Sequence, residues 1–471
     1  MSISKKNAST WLHLGAGAFF RAHQAWYLNR LRQTGDNHWH MALSNIRNSP
    51  TQKTLQQLKA QKGRYTLETV SPEGERRYET IDAVDQILLW DSRLASTVAV
   101  GADPDTKIIS FTVTEGGYFL DDDDHLELSH PAVRADLADE GEINTLYGAL
   151  TLILTARQQQ QSGPVTLLCC DNLRQNGDSF AQGMREFLAA KRRPDLIAWM
   201  AEQTSAPNSM VDRITPKFDD ALYTRLRQQG IIGDEVPLSC ESFTRWVIED
   251  RFAGERPALE RAGVEFVDDV TPVEEAKIRL LNASHSGIAW AGALQNRRYI
   301  DESLPRHVTG WIRDYVLQDV SPALQQRGVE LDLPAECDSV LARFSNRGVR
   351  DTVARVSSDS IAKLHGFIVP TLKDGYRQGK IPQATLRLPA LFFLFMQRHH
   401  RGELPFSYQD RAIDALDVQR IFSADDPLAA FADQPVLFGT VRRQKAFTEH
   451  LRAAVDEVQT TLHASPEGKI R

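Results

Sequence analysis

Cysteine is scarce in this chain: there are four among 471 residues, and two of them, Cys169 and Cys170, are adjacent. Four cysteines make no disulfide framework in a chain of this size, and no pair has the C-x2-C spacing of a zinc site. Long apolar runs are also missing. The longest, Leu388 to Met396 and Ala149 to Leu154, suit buried helix or strand and fall well short of the ~18 residues of a membrane span. The opening residues, MSISKKNASTW, lack the apolar stretch of a secretory signal. Positive charge is not in excess: 55 Lys and Arg stand against 62 Asp and Glu, a formal charge of −7, which argues against the basic stripe that nucleic-acid binding needs. No internal repeat, no heptad seam and no low-complexity tract beyond Gln158 to Gln161 is present. These absences leave a folded protein of a reducing, cytoplasmic compartment as the expectation, with neither nucleic acid nor membrane as partner. Its 42% hydrophobic and 25% charged residues are ordinary globular values, and its length corresponds to two or three domains.

The first part of the chain alternates short β-branched runs with amphipathic stretches, the pattern of a mainly parallel sheet covered by helices. Strands are expected at Trp11 to Gly15, Met41 to Ile46, Lys107 to Thr114 and Val165 to Cys170, with a last one at Val264 to Val270. Helices are expected at Phe20 to Arg32, Thr54 to Lys62, Ile143 to Gln161 and Ser179 to Lys191. Arg64 to Val70 and Arg76 to Ile81 form a hairpin across Pro72-Glu73-Gly74, an antiparallel insertion. From about Glu274 strand signals fade and helical periodicity takes over. The expected fold class is therefore α/β, a Rossmann-type doubly wound mainly parallel sheet at 1–273 followed by a mostly α-helical domain at 274–471.

Where the first strand enters the first helix, the chain reads Gly15-Ala16-Gly17-Ala18-Phe19-Phe20-Arg21. Gly15 permits a tight turn, and Gly17 lets the backbone approach a pyrophosphate at a helix N-terminus. This is a dinucleotide cradle without its third glycine; Phe20 stands there instead. The second strand ends Asn45-Ile46-Arg47-Asn48, with no carboxylate for a ribose. Asn45 or Asn48 suits the ribose hydroxyls and Arg47 suits a 2′-phosphate, so the residues favour NAD and leave NADP open.

Three further stretches carry chemistry. Lys277, Asn282 and His285 form K-x4-N-x2-H, which in a regular helix lie at about 0°, 140° and 80° on one broad face. An amine able to act as general base, an amide able to donate to an oxyanion and an imidazole able to orient substrate suit alcohol oxidation; the polar face of an ordinary helix would look the same. Asp171-Asn172 follows a central strand, where ligands bind in doubly wound sheets, although Asp171 or Asn176 equally makes an Asx turn. Asp212-Arg213 within an apolar run is either a structural ion pair or a polyol ligand. Tyr376 and Lys380 form a Y-x3-K that lies too far from the glycine motif to be given a role.

Taken in order, GAGAFFRAHQAWY, TEGGY, CDNLRQNG, MVDRITP, KIRLLNASH and RFSNxxxRDT resemble the polyol-specific long-chain dehydrogenase, or mannitol dehydrogenase, family. The resemblance implies a metal-independent oxidation of a linear polyol to a ketose with NAD. It makes Lys277 the general base, with Asn172 and Asn282 holding the reacting oxygen and His285 beside them. It places Glu115 and Glu274 in a proton relay, Asp212, Arg355 and Lys363 along the substrate, and Gly15, Gly17, Phe19, Phe20 and Arg21, with Asn45 and Arg47, at the cofactor. The segments RAHQAWYL, IISFTVTEGGY and AKIRLLNASHSGIAWAG are most similar to members that convert D-arabinitol to D-xylulose. Mannitol, or a sugar acid such as fructuronate facing Arg355 or Lys363, is the alternative substrate, and a non-catalytic dinucleotide-binding protein the remote alternative. The family includes monomers, so no partner chain is implied. Phe20 departs from the family pattern, which has His there, and so does Leu364-His365 after Lys363, where Ile-Pro is usual.

Overall fold

A computed structural model describes residues 8–121, 125–139, 141–216 and 218–464. Most of the N-terminal stretch read for a leader thus lies outside the described residues. The chain divides into two compact units, Met1–Val70 with Arg76–Thr271, and Ser71–Glu75 with Pro272–Arg471.

Among the described residues the first unit holds twelve strands in chain order: β1 (Ser9–Leu14), β2 (Trp39–Ser44), β3 (Tyr65–Val70), β4 (Arg76–Ile81), β5 (Val84–Leu88), β6 (Thr106–Phe111), β7 (Val165–Cys169), β8 (Thr204–Ser205), β9 (Ser209–Asp212), β10 (Leu238–Glu241), β11 (Arg245–Glu249) and β12 (Glu265–Val267). Six of them form one sheet in the order β5-β2-β1-β6-β7-β8, and every pairing in it is parallel. Numbered by their own sequence, these strands run 3-2-1-4-5-6, the doubly wound order whose reversal, between β1 and β6, opens a crevice at the carboxyl ends. β1, β6 and β7 are buried almost throughout because apolar cores cover both faces of the sheet. The hairpin of β3 and β4 is antiparallel as expected, but β10 adds to it in parallel. The last expected strand shortens to β12, which joins β11 and β9 in a third sheet.

The expected helix at Phe20 to Arg32 is broken in two, Ala18–Ala22 and Gln24–Gln33. The cause is His23, fully buried, whose Nε2–H donates to the Arg245 carbonyl at 3.1 Å and whose ring packs on Phe19 and Trp246. Pinning that side chain to β11 costs the helix one residue of regular backbone, at φ −123°, ψ −81°.

Among its described residues the second unit is helical apart from a single isolated bridge between Tyr299 and Thr352. Its centre is the Ala283–Leu294 helix, buried along nearly its whole length. Around it pack Gln383–His400 and several shorter segments, and Phe447–Ala464 packs in turn on Gln383–His400. Three segments have i→i+5 hydrogen bonding: Ile278–Asn282, Tyr315–Val320 and Leu364–Ile368. Among the described residues no helix is long and apolar enough to cross a membrane, and all four cysteines are buried free thiols.

Candidate functional site

The glycine turn is built as its spacing requires. Gly15 has φ +122°, and a Cβ there would stand 2.3 Å from the Thr112 carbonyl oxygen. Its N–H donates to the Ser44 carbonyl at 2.8 Å. Gly17 is different: φ is −69° and a Cβ would meet nothing within 4 Å. The space beside Gly17 is open at the head of the Ala18–Ala22 helix, where a pyrophosphate would approach unpaired N–H groups. Gly17→Ala should therefore leave thermal stability at the wild-type value and raise the KM for the dinucleotide at least about tenfold, the loss of one hydrogen bond to a charged phosphate. Gly15→Ala should instead lower the melting temperature, because alanine is incompatible with that φ.

Three residues expected at the cofactor have other work. Phe20 is fully buried and stacks on His13 at 3.9 Å; burial holds that imidazole neutral, with its pKa pushed down to about 3. Arg21 turns inward to donate to the Val236 carbonyl at 2.6 Å and lies over the Tyr65 ring. Both follow from the first helical turn, which directs these side chains into the core. Asn45 accepts from the Ala16 N–H at 2.8 Å and donates to Thr51 Oγ1 at 2.7 Å, so its amide shapes the glycine turn rather than awaiting a ribose. Phe19 is half-buried, whereas Arg47 and Asn48 are exposed just beyond β2.

At the ends of β6 and β7 two turns meet. Asp171 does not make an Asx turn: its carboxylate accepts from the Val113 N–H at 2.8 Å, the Thr114 N–H at 3.1 Å and the Tyr118 hydroxyl at 2.6 Å. Burial pushes its pKa up to about 6, and neighbouring Glu115 adds to the rise. Thr114 has φ +65°, ψ 161°, a region reserved almost entirely for glycine, costing on the order of 1–3 kcal/mol. Glu115 and Asn172 sit exposed on these turns. Asn176, in contrast, is buried and donates to the Asp171 and Ser209 carbonyls. Asp212 ends β9 and is buried. Arg213 directs its guanidinium to the carbonyls of Glu241 and Ala22.

In the second unit Lys277 closes the Thr271–Lys277 helix, and the i→i+5 segment begins immediately after it. This changes the expected face. In a regular helix Asn282 would lie about 140° from Lys277; across an i→i+5 turn a residue five positions on takes the place that i+4 takes in an α-helix, so Asn282 stands nearly in line with Lys277. The widened turn is locked in place: the Tyr315 hydroxyl donates to the Arg279 carbonyl at 2.9 Å, and the buried Arg279 guanidinium pairs with Glu275 and Asp374. Glu274, buried at 4% exposure, precedes Lys277 by three residues and so shares its face.

His285 stacks on Phe344 at 4.5 Å. Its Nε2 is buried without a hydrogen-bond partner and stands 3.6 Å from Asp351 Oδ2. Burial holds its pKa down to about 3, assisted by the cations Arg355, Lys363 and Arg343 and opposed by Asp351. The ring is thus neutral at physiological pH, able to donate from one nitrogen and accept at the other. Asp351, the acid of the RDT motif, holds Arg355 through both carboxylate oxygens. Lys363 donates to the carbonyls of Val356 at 2.9 Å and Ser358 at 2.7 Å, and it too immediately precedes an i→i+5 segment. Asp351 was missed as a site residue by sequence reasoning; its signal was the Arg–Asp–Thr run with Arg355 four residues on. Tyr376 of the Y-x3-K pattern lies 3.0 Å from His450 Nδ1. Among the described residues no group of three or more His, Cys, Asp or Glu side chains could hold a metal ion.

Comparison with known proteins gives one consistent answer. The family model described as the mannitol dehydrogenase Rossmann domain matches residues 9–261, and that of the mannitol dehydrogenase C-terminal domain matches residues 269–459. The chain is 49% identical to a D-arabinitol 4-dehydrogenase of Klebsiella pneumoniae, across 97% of this chain and 100% of that one. It is 46% identical to a D-arabinitol 4-dehydrogenase of Ralstonia nicotianae, over 97% and 98%. Among solved structures, it resembles Pseudomonas fluorescens mannitol 2-dehydrogenase in a ternary complex with NAD and D-mannitol, with a TM-score of 0.83 and 29% identity over 98% of this chain and 93% of that one.

Proposed function

The chain belongs to the mannitol dehydrogenase family, and from that premise we propose that it oxidises D-arabinitol to D-xylulose with NAD, Lys277 taking the hydroxyl proton. The observation that carries the substrate is the pair of full-length relatives, 49% and 46% identical, both named D-arabinitol 4-dehydrogenase. The dinucleotide fits the residues present: the open space at Gly17 and the exposed Arg47 lie at the carboxyl ends of β1 and β2, where a pyrophosphate and an adenosine ribose would be held. Held there, the dinucleotide would supply the acceptor for the hydride leaving the carbinol carbon.

The protein's own residues do the rest. Neutral Lys277 accepts the hydroxyl proton, and the amide N–H groups of Asn282 and Asn172 donate to the oxygen as negative charge grows on it. Neutral His285 orients a neighbouring hydroxyl. Glu274, on the face of Lys277, and Glu115 pass the proton to solvent. Oxidation needs the free amine and ketose reduction needs the ammonium, so the forward rate rises with pH and the reverse rate falls.

Asp351 bears on the choice of substrate. Its carboxylate already neutralises Arg355, so that guanidinium is not an uncompensated cation for a sugar acid, and the Lys363 ammonium already spends two of its donors on the Val356 and Ser358 carbonyls. An Arg–Asp pair provides donors and acceptors together, which is what the hydroxyls of a neutral polyol require. Assay of D-arabinitol, D-mannitol, xylitol and fructuronate with NAD and NADP tests this reading. D-Arabinitol with NAD should have the highest kcat/KM, above D-mannitol by about tenfold or more. A preference for fructuronate, or turnover of none of the four, would overturn it.

A further inference from the structure

We propose that Asp171 is a positioning residue: by tying the end of β6 to the end of β7 it holds the Thr114–Tyr118 turn, with Glu115, and the Asn172 turn in their working arrangement. This deepens the proposed function and rests on it for the roles of Glu115 and Asn172. The clamp itself stands on geometry alone. One carboxylate receives two consecutive backbone N–H groups, Val113 and Thr114, from the segment just after β6, 58 and 57 residues away in sequence, and the Tyr118 hydroxyl from the far end of the turn that follows. Asn172 is the next residue in the chain, so the group that fixes Glu115 also fixes the backbone from which the Asn172 amide projects.

Thr114 shows why a clamp is needed. Its φ of +65° with ψ of 161° is a conformation that a β-branched residue abandons unless its surroundings enforce it. The Asp171 carboxylate enforces it by holding the Thr114 N–H, and the turn then closes on itself through the Gly117 N–H to the Thr114 carbonyl at 2.9 Å. Gly117 packs so closely on Val113 that a Cβ would stand 2.9 Å from its side chain. The titratable groups around the carboxylate are the Tyr118 hydroxyl, the Cys169 and Cys170 thiols and Glu115. Burial raises the tyrosine and both thiols as well as Asp171, so of the aspartate, the tyrosine and the thiols only the aspartate changes charge near neutrality. Once protonated it is a weaker acceptor for N–H groups, and the turn loosens in acid.

The test uses Asp171→Asn, Thr114→Gly and the double variant, assayed by reduction of D-xylulose with NADH. In that direction Lys277 works as the ammonium, so a loss of rate in acid does not originate from the lysine. Asp171→Asn should lower kcat/KM by about 10- to 100-fold, the worth of hydrogen bonds to a charged acceptor. Thr114→Gly should stay near wild type. The double variant should recover to within about threefold of wild type, because glycine adopts the turn unaided. The wild-type acid limb near pH 6 should be absent in Thr114→Gly. Amide hydrogen exchange at Val113 and Thr114 should be faster in Asp171→Asn, a readout that does not depend on substrate. Wild-type exchange in Asp171→Asn, or a double variant no more active than Asp171→Asn, overturns the inference. Faster exchange in a chain that reduces no ketose would overturn the functional reading and leave the clamp standing.

Discussion

Lys277→Ala is expected to lower kcat for D-arabinitol oxidation by about 10³- to 10⁴-fold, the upper range for loss of a general base, while NADH binding stays at its wild-type affinity. The separation follows from where the groups sit. The dinucleotide cradle, Gly15 to Gly17, belongs to the first unit, and Lys277 to the second. Lys277→Arg should be as inactive as Lys277→Ala, because a guanidinium keeps positive charge but does not give up its proton near neutrality. Steady-state kinetics with a fluorescence titration of NADH checks both. A kcat within tenfold of wild type in either variant would remove the lysine from the reaction.

The second large effect falls on stability. Arg279 is 1% exposed and sits inside the i→i+5 turn that aligns Asn282 with Lys277. Its guanidinium donates to Asp374 at 2.7 Å and Glu275 at 2.8 Å, and Arg327 donates to Asp374 as well. Asp374→Ala leaves this buried cation with one carboxylate and should destabilise the protein by about 3 kcal/mol, read as a shift of the urea unfolding midpoint. Burial alone would raise the Asp374 pKa, but Arg327 and Arg279 outweigh it and hold the carboxyl below its usual value. A depressed carboxylate stabilises above its unfolded pKa and loses that contribution as pH falls through the folded one. The difference between Asp374→Ala and wild type should therefore shrink below about pH 4. A difference under about 0.5 kcal/mol at neutral pH, the size of an ordinary surface substitution, would show the network to be dispensable.

Much of this architecture was legible because it is written in side-chain type. β6 and β7 stand out as apolar β-branched runs and β1 as a short apolar run before the glycine turn, and their observed ends differ from expectation by a few residues at most. Gly15 was legible because only glycine takes its φ. What escaped was set by distant partners. The break at His23 depends on a carbonyl of β11, and the inward turn of Arg21 depends on Val236. Asp171 looked like a local turn former, but its partners arrive from the turn that follows the neighbouring strand. Asn45 has the residue type of a ribose ligand and is used by its own glycine turn.

The candidate catalytic helix shows the same division. Type and spacing single out Lys277, Asn282 and His285 without telling them from the polar face of an ordinary helix, and the placing of Asn282 beside Lys277 relies on i→i+5 bonding, which leaves no mark in residue choice. Asp351 gains its meaning only when its two neighbours, Arg355 on one side and His285 on the other, are seen around one carboxylate.

The claim that most needs a direct test is that the Lys277 amine meets the oxygen being oxidised. A crystal structure of the wild-type chain with NAD and D-arabinitol measures it. The account predicts Lys277 Nζ at about 3 Å from the hydroxyl oxygen on the carbon facing the nicotinamide, within hydrogen-bond reach of the proton it removes. Another side chain at that oxygen, with Nζ turned into solvent, would contradict it.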